Sequence, residues 1–436
     1  MPLRRRLPVC ARVRREVVAP SSPDPSRRRA PLYALFLADT VSLAGNAVAQ
    51  LAIPWYVLIT TGSAALTGLA VFFGLLPVVI SGFFGGVIVD RLGFRRTSVI
   101  ADLASSAAVA AIPALHVTVG IELWQLMALV FLGGLLDAPG TTARAALFPD
   151  VVELAGLRLE RASGIRGAIQ RGSLLVGAPL GGALVATFGA TAALWLDAAS
   201  FLLSAALIVA LVPAAQRRPD PETPRRYVSE LAEGFAFIRR HRLVRAIVAT
   251  VLVTNFLDAP LGVVMPVYAR ESFGGAADLG VMFGVFGGFA LLGSLGDSAV
   301  GHRLPRRLTF VCCFFVWAAD YLVLATLPPF PLTLAALAVG GLAVGPINPL
   351  LGTLQYQLIP TELRGRVIGA LIAGSWAAIP AGVLIGGALV ELAGVRWTFL
   401  TVGVCYVAVA AFGFFNPAFR EMDNPPEMAR PEPRPG

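Results

Sequence analysis

The sequence predicts an all-α integral membrane protein of twelve transmembrane helices arranged as two pseudo-symmetric six-helix bundles, and three observations predict it. Of the 436 residues, 56% are hydrophobic and only 14% charged, with a mean hydropathy of +0.75, whereas soluble domains carry roughly 25% charge. Apolar runs long enough for a bilayer, which takes about 20 residues per helix, recur from Pro31 to Phe419. One polar break near the middle divides those runs six and six. A transmembrane barrel would instead show strands of about 10 residues with alternating polarity, and "LAALAVGGLAVGPINPLLGTL" has no such alternation.

Residues 1–31 are rich in Arg, Pro and Ser and lack the apolar core of a secretory signal, so they are expected to form a disordered basic cytoplasmic tail. The first bundle, 32–213, takes its helices from 32–58, 65–89, 97–118, 122–143, 166–188 and 191–213. A cytoplasmic linker, 214–245, follows. In it Val228, Leu231, Phe235 and Phe237 or Ile238 recur at helical spacing before Arg239, Arg240 and Arg242, which reads as an amphipathic helix on the inner membrane surface. The second bundle, 246–420, takes 246–269, 278–300, 308–328, 331–355, 367–390 and 397–418, and leaves 421–436 as a second cytoplasmic tail.

Charge placement sets the orientation. The chain has no Lys, so all 35 basic residues are Arg, and nine of them precede residue 30. The rest concentrate in alternate loops, at Arg91, Arg95 and Arg96, at Arg144, Arg158 and Arg161, from Arg217 to Arg245, at Arg303, Arg306 and Arg307, at Arg364 and Arg366, and in the tail from Arg420. Arg270 and Arg396 alone fall in the opposite set. Positive loops stay inside, so both termini are expected in the cytoplasm of a cell whose plasma (inner) membrane holds the protein. The net charge of +9 then reports topology and does not call for nucleic acid.

Several function classes are excluded. Cys10, Cys312, Cys313 and Cys405 form no metal or disulfide pattern, and His116, His241 and His302 are scattered. A phosphate-cradling Gly-x-x-x-x-Gly-Lys loop is impossible without Lys. With no paired His-Glu helix motif and no nucleophile elbow, the expectation is a protein that is not an enzyme and uses no metal or cofactor.

The halves repeat each other. "GGALVATFGA" from Gly181 matches "GGALVELAGV" from Gly386, "LFPD" from Leu147 matches "LIPT" from Leu358, and "DRLGFRR" matches "HRLPRR", at offsets of about 205 to 212 positions. Internal repeats of this kind build many transporters, with the substrate site between them.

The loop Gly86-x-x-x-Asp90-Arg91-x-Gly93-x-Arg95-Arg96 resembles the diagnostic motif of the major facilitator superfamily. "ARAALFPDVV", "RGSLLVGAPLGG" and "NPLLGTLQYQLIPTELRGRVIG" are similar to segments of its enterobactin-exporter and macrolide-efflux-like branch. The resemblance spans about residues 32 to 420. It departs where His302 stands without an acid in the second-half loop, where Gly177-Ala178-Pro179-Leu180-Gly181-Gly182 shifts the proline by one, and where Gly45 is followed by Asn46 in place of an acid.

The resemblance implies that Asp90 serves as an inner latch between the halves, its carboxylate on a helix N-terminus and on Arg side chains, with Arg364 and Arg366 as partners. It also implies that helices 1, 4, 7 and 10 line a central cavity. Those helices carry polar stripes: Asp39, Ser42, Asn46 and Gln50; Asp137, Thr141 and Arg144; Thr254, Asn255 and Asp258; Asn348 and Gln355. Charge inside a membrane usually faces the bundle interior or a wet cavity. Low-dielectric surroundings favour the neutral form of a carboxyl, which suits Asp137 and Asp258 as proton carriers. Gly177, Pro179, Gly181, Gly182, Pro380, Gly386 and Gly387 allow helices 5 and 11 to approach neighbours closely and to bend.

The expectation is a monomeric, proton-driven exporter of lipophilic small molecules, drug, macrolide or siderophore-like, working by alternating access among membrane lipids. An uptake permease for a small solute and a non-transporting scaffold or sensor are the alternatives.

Overall fold

The computed structural model describes residues 25–213, 224–360 and 363–423, with the side chains of 25–28, 79, 81–91, 174, 224–231, 302, 356, 365 and 372–373 outside the description. Among the described residues the regular structure is helical, and ten helical stretches are long and apolar enough to cross a bilayer. The chain is an all-α, multi-pass integral membrane protein.

Six long helices come first: α1 (Pro25–Thr61), α2 (Ala64–Leu92), α3 (Phe94–Thr118), α4 (Leu123–Leu154), α5 (Leu159–Phe188) and α6 (Ala190–Leu211). Helix α1 packs on α5 and α6, α3 on α4 and α6, and α2 on α4. The turns between them are short, and Gly62, Gly93 and Gly189 take φ of 70°, 83° and 85° there, a region that costs glycine nothing. Pro25 opens α1 inside the stretch expected to be tail; residues 1–24 lie outside the described residues. Helices α4 and α5 also run beyond the predicted spans, at Leu154 and Leu159, because hydropathy finds the part of a helix that lies in lipid and not the turns that protrude from it.

The second set is α8 (Arg242–Asp258), α9 (Leu261–Ser272), α10 (Ala276–Val300), α11 (Arg306–Leu324), α12 (Phe330–Val344), α13 (Ile347–Leu358) and α14 (Arg364–Phe415), preceded by α7 (Pro224–Arg240). Two predicted spans are interrupted. Pro260 and Pro346, which have no N–H to give the preceding turn, stand where α8 passes into α9 and α12 into α13, and they keep helical dihedrals (Pro260 φ −54°, ψ −24°; Pro346 φ −67°, ψ −23°). Helix α14 merges two predicted spans across Gly394, whose φ of 83° and ψ of 171° are not helical. The span predicted to 328 stops at Leu324, ahead of Leu327 at φ 54° and of Pro328-Pro329.

Helix α7 was expected on the membrane surface. It packs on the start of α14, with Phe237 and Ile238 buried, while the side chains of Val228 and Leu231 lie outside the described residues. A Cβ at its Gly234 would sit 2.4 Å from the carbonyl oxygen of Arg366, so the bare glycine is what permits this seat.

The early and late helices meet chiefly where α2 lies on α14 and α5 on α10. Glycines set those distances. A Cβ at Gly182 would lie 2.6 Å from the Cα of Gly280, and one at Gly68 would lie 3.1 Å from the Cα of Gly387. Small residues let backbones approach where no hydrophobic force drives helices together in lipid.

Candidate functional site

Charge is buried at the centre of the first six helices. Arg144 of α4 is 1% exposed. Its Nη1 donates to Asp102 Oδ1 of α3 at 2.6 Å, its Nε lies 3.0 Å from Asp39 Oδ1 of α1, and its Nη2 lies 3.9 Å from Asp137 Oδ1, about two turns back on α4. Asp39 is shared: its Oδ2 accepts from Arg166 Nε of α5 at 3.1 Å. Asp102 is clamped on the other side by the Ser204 hydroxyl of α6 at 2.7 Å. Asp137 Oδ2 receives Asn46 Nδ2 at 3.3 Å. Asp197 of α6 faces Gly45, where a Cβ would stand 2.6 Å from its Oδ1, and is near enough to Asp137 for their charges to interact.

A guanidinium suits this position because its planar fork serves several carboxylates at once. Unpaired charge in such a site is costly by several kcal/mol per ion, and only mutual attraction with good geometry offsets it. The partners also differ in grip. Asp102 has two short hydrogen bonds, Asp39 bridges two guanidiniums, and Asp137 is the loosest, its Oδ1 without a hydrogen bond and its side chain 18% exposed.

The later helices bury an acid differently. Asp258, at the end of α8, accepts from the indole Nε1 of Trp317 at 3.1 Å and the phenol of Tyr321 at 3.0 Å, both on α11. Tyr321 stacks on Tyr406 of α14 with ring centroids 5.4 Å apart, and Tyr406 donates to the carbonyl of Thr254 at 3.2 Å. Trp317 packs in turn against Phe286 of α10. Asp258 therefore sits in an aromatic box held by neutral donors. Asp320, on the same helix as Trp317, is 5% exposed and turns toward Gly340 of α12, where a Cβ would meet its Oδ2 at 2.6 Å.

The other predicted residues distribute as follows. Ser42 is buried, Gln50 and Asn348 are exposed, and Thr141 donates to the Ala138 carbonyl of its own helix. Asn255 donates to the Ser375 carbonyl of α14 at 3.0 Å. Gln355 lines a small apolar cavity with Val244, Ile247, Leu351 and Leu371. Asp39, Asn46, Asp137 and Arg144 are thus brought together, while Asp258 belongs to a separate cluster. Arg144 is not the sole cation opposing these acids, because Arg166 of α5 also pairs with Asp39. Sequence reasoning also missed Asp102 and Asp197. Each is a lone acid in an apolar helix, in "ADLASS" and "LWLDAAS", and that was the available signal.

At the predicted inner latch, Gly93 caps α3 with φ 83° and Arg95 donates to the carbonyls of Ile208 and Val209 at the end of α6. Arg96 is exposed. The side chains at Gly86, Asp90 and Arg91 lie outside the described residues. Arg366 forms an ion pair with Glu233 of α7, and Arg364 donates to the Ile359 carbonyl. Among the glycines and prolines expected to bend helices, the geometry is one of close approach. Gly177 and Gly181 lie on α1 and Gly386 lies on Pro260, while Pro179 faces Gly284. Pro380 sits within α14.

Among the described residues no group of three or more His, Cys, Asp or Glu is placed to hold a metal ion. Comparison with known proteins completes the picture. Residues 35–299 and 247–436 match the family model described as Major Facilitator Superfamily. The chain is 32% identical over 358 residues to a Mycobacterium tuberculosis protein named multidrug efflux pump Tap, covering 81% of this chain and 85% of that one. It is 24% identical to macrolide efflux protein A of Streptococcus pyogenes, covering 78% of this chain and 85% of that protein. Its fold is similar to the crystal structure of the nucleoside transporter NupG, with a TM-score of 0.71 at 12% identity over 88% of this chain and 98% of that one. It is also similar to a D-xylose-proton symporter, with a TM-score of 0.65 at 14% identity over 88% and 97%.

Proposed function

This chain belongs to the Major Facilitator Superfamily, and we propose that within it the protein is a proton-coupled exporter of lipophilic small molecules, close to the multidrug and macrolide efflux branches. It is a secondary active transporter of small molecules and not an enzyme. In the proposed arrangement twelve crossings form two six-helix halves, 32–213 and 246–420, joined by the linker 214–245, with both termini in the cytoplasm and a monomer as the working unit. The relatives named for efflux favour export over uptake.

The observation that carries proton coupling is the loose hold on Asp137. Asp39, Asp102 and Asp137 outnumber Arg144 and Arg166 in one buried site. Such a site does not hold surplus negative charge without a large desolvation cost, so protons make up the difference. Asp137, partly exposed and 3.9 Å from the shared cation, is the member that can exchange its proton when the cavity opens to water. Asp258, ringed by neutral donors, is the candidate for a second proton. An acidic cavity also favours cationic or neutral amphiphiles over anions.

The test uses inverted membrane vesicles and a lipophilic cation such as ethidium. The wild-type protein should accumulate the dye only with a pH gradient. Asp137→Asn should still exchange dye across the membrane yet fail to concentrate it. Proton-driven accumulation that survives in Asp137→Asn, Asp258→Asn and the double variant overturns the assignment, and no dye flux in the wild type across a panel of amphiphiles returns the chain to solute uptake or to a scaffold.

A further inference from the structure

At the end of the bundle away from both termini, one carboxylate reaches between the two sets of helices. Glu391 lies on α14, three residues before the break at Gly394, and its Oε2 accepts three hydrogen bonds from the start of α2. The donors are Ala64 N at 2.6 Å, Ala65 N at 3.1 Å and Ser63 Oγ at 3.1 Å. The first N–H groups of a helix have no acceptor within it, and the helix dipole there favours an anion. Ser63 Oγ also accepts from Leu66 N at 3.2 Å, so the donors of this first turn are divided between the helix's own serine and a glutamate from the other half.

The reach depends on the packing one turn below. A Cβ at Gly387 would stand 3.1 Å from the Ala64 carbonyl oxygen and 3.2 Å from the Cα of Gly68, so a side chain there would press on the backbone of α2 just below the Glu391 contact. Val263, 0% exposed, abuts Gly68 beneath this contact. A second tie stands beside it, where Arg270 of α9 donates to the Leu58 carbonyl of α1 at 2.9 Å.

We propose that Glu391 is a gating residue, the latch that holds the outer side of the transporter closed. Its position mirrors the expected inner latch. Asp90 lies near the C-terminal end of α2 and Glu391 near the C-terminal end of the first segment of α14, two helices that lie against each other. Each acid is placed at the end where the partner helix begins. Closing one end of this pair brings one acid to a helix N-terminus, and opening that end removes it. The inference rests on alternating access and on the outward assignment of this end by the Arg asymmetry.

The test reads conformation directly. In a background with the four native cysteines replaced by Ser, a Val263→Cys label is attacked by a membrane-impermeant maleimide only when the outer side opens. Glu391→Gln keeps the shape and removes the charge, and should raise the labelling rate from outside about tenfold, the loss expected for hydrogen bonds to an ionised acceptor. Glu391→Ala should raise it at least as much, and Ser63→Ala less, because one of three contacts is lost. A rate unchanged in both Glu391 variants overturns the latch. So does a fall in melting temperature with no change in labelling, which marks a helix cap alone. Proton-driven dye flux in vesicles tests the transport reading separately, so the latch can fail while that reading stands.

Discussion

Arg144 and Asp258 stand for two ways of keeping an acid inside a membrane protein. Around Arg144 the early helices use charge against charge: α1, α3, α4 and α5 each send an ionisable group to one site, and α6 adds the Ser204 hydroxyl. Around Asp258 the later helices use neutral donors, an indole and a phenol backed by stacked rings. The first arrangement ties many helices to one cation, so losing that cation leaves several carboxylates unbalanced at once. The second gives a single carboxyl a fixed place and leaves its proton as the only variable. The early and the late helices thus both keep acids and surround them with different chemistry.

The comparison is broken most directly at Arg144. Arg144→Gln leaves buried carboxylates without their shared cation, which costs about 3–5 kcal/mol. The expected outcome is a loss of monodisperse protein on size exclusion after detergent extraction, with Arg144→Lys recovering part of it because charge returns without the fork. A normal yield and melting temperature for Arg144→Gln would show that the cluster does not hold the helices together.

Next in size is Ser204→Ala. The hydroxyl donates at 2.7 Å to a fully buried carboxylate that also holds Arg144, and losing a hydrogen bond to a charged group costs about 1.5–3 kcal/mol. Thermal unfolding in detergent should show the drop. A change within error would place Asp102 outside the energetic core of the cluster.

How far the sequence foretold this contrast depends on which property is asked of it. Helices α1 to α6 stood out because length and apolarity are local, and the stripe Asp39, Asn46, Asp137, Arg144 stood out because polar residues are rare in such runs. Asp102 and Asp197 did not, since each is isolated in its helix and what matters is the helix that faces it. The breaks after Asp258 and Val344 were equally hidden. Pro54, Pro77, Pro113, Pro139 and Pro179 lie inside unbroken helices, so proline alone does not say where a helix divides; at Pro260 the packing against Gly386 accompanies the break. Nor could a chain read in one dimension show Glu391 capping a helix that starts 327 residues away, at Ala64.

A smaller effect sharpens the comparison from the other side. Trp317→Phe removes the indole donor to Asp258 while keeping an aromatic ring against Phe286 and Tyr321. Between neutral groups the loss is about 1 kcal/mol. Thermal unfolding should therefore move less than in Ser204→Ala. A drop as large as that variant's would mean that Asp258 is held as an anion, and the two sites would then differ in geometry but not in kind.

Asp258→Asn should have the smallest effect on stability of all. The amide is nearly the same shape, and its oxygen still accepts from Trp317 and Tyr321, so the hydrogen bonds that define the box persist and unfolding should shift by no more than about 0.5 kcal/mol. What the amide cannot do is give up or take back a proton. If the box exists to hold a titrating carboxyl, the variant melts as the wild type does and exchanges dye, but accumulates less of it from a pH gradient in vesicles. Unchanged melting together with unchanged accumulation would leave Asp258 as packing, and proton coupling would then rest on the Arg144 cluster alone.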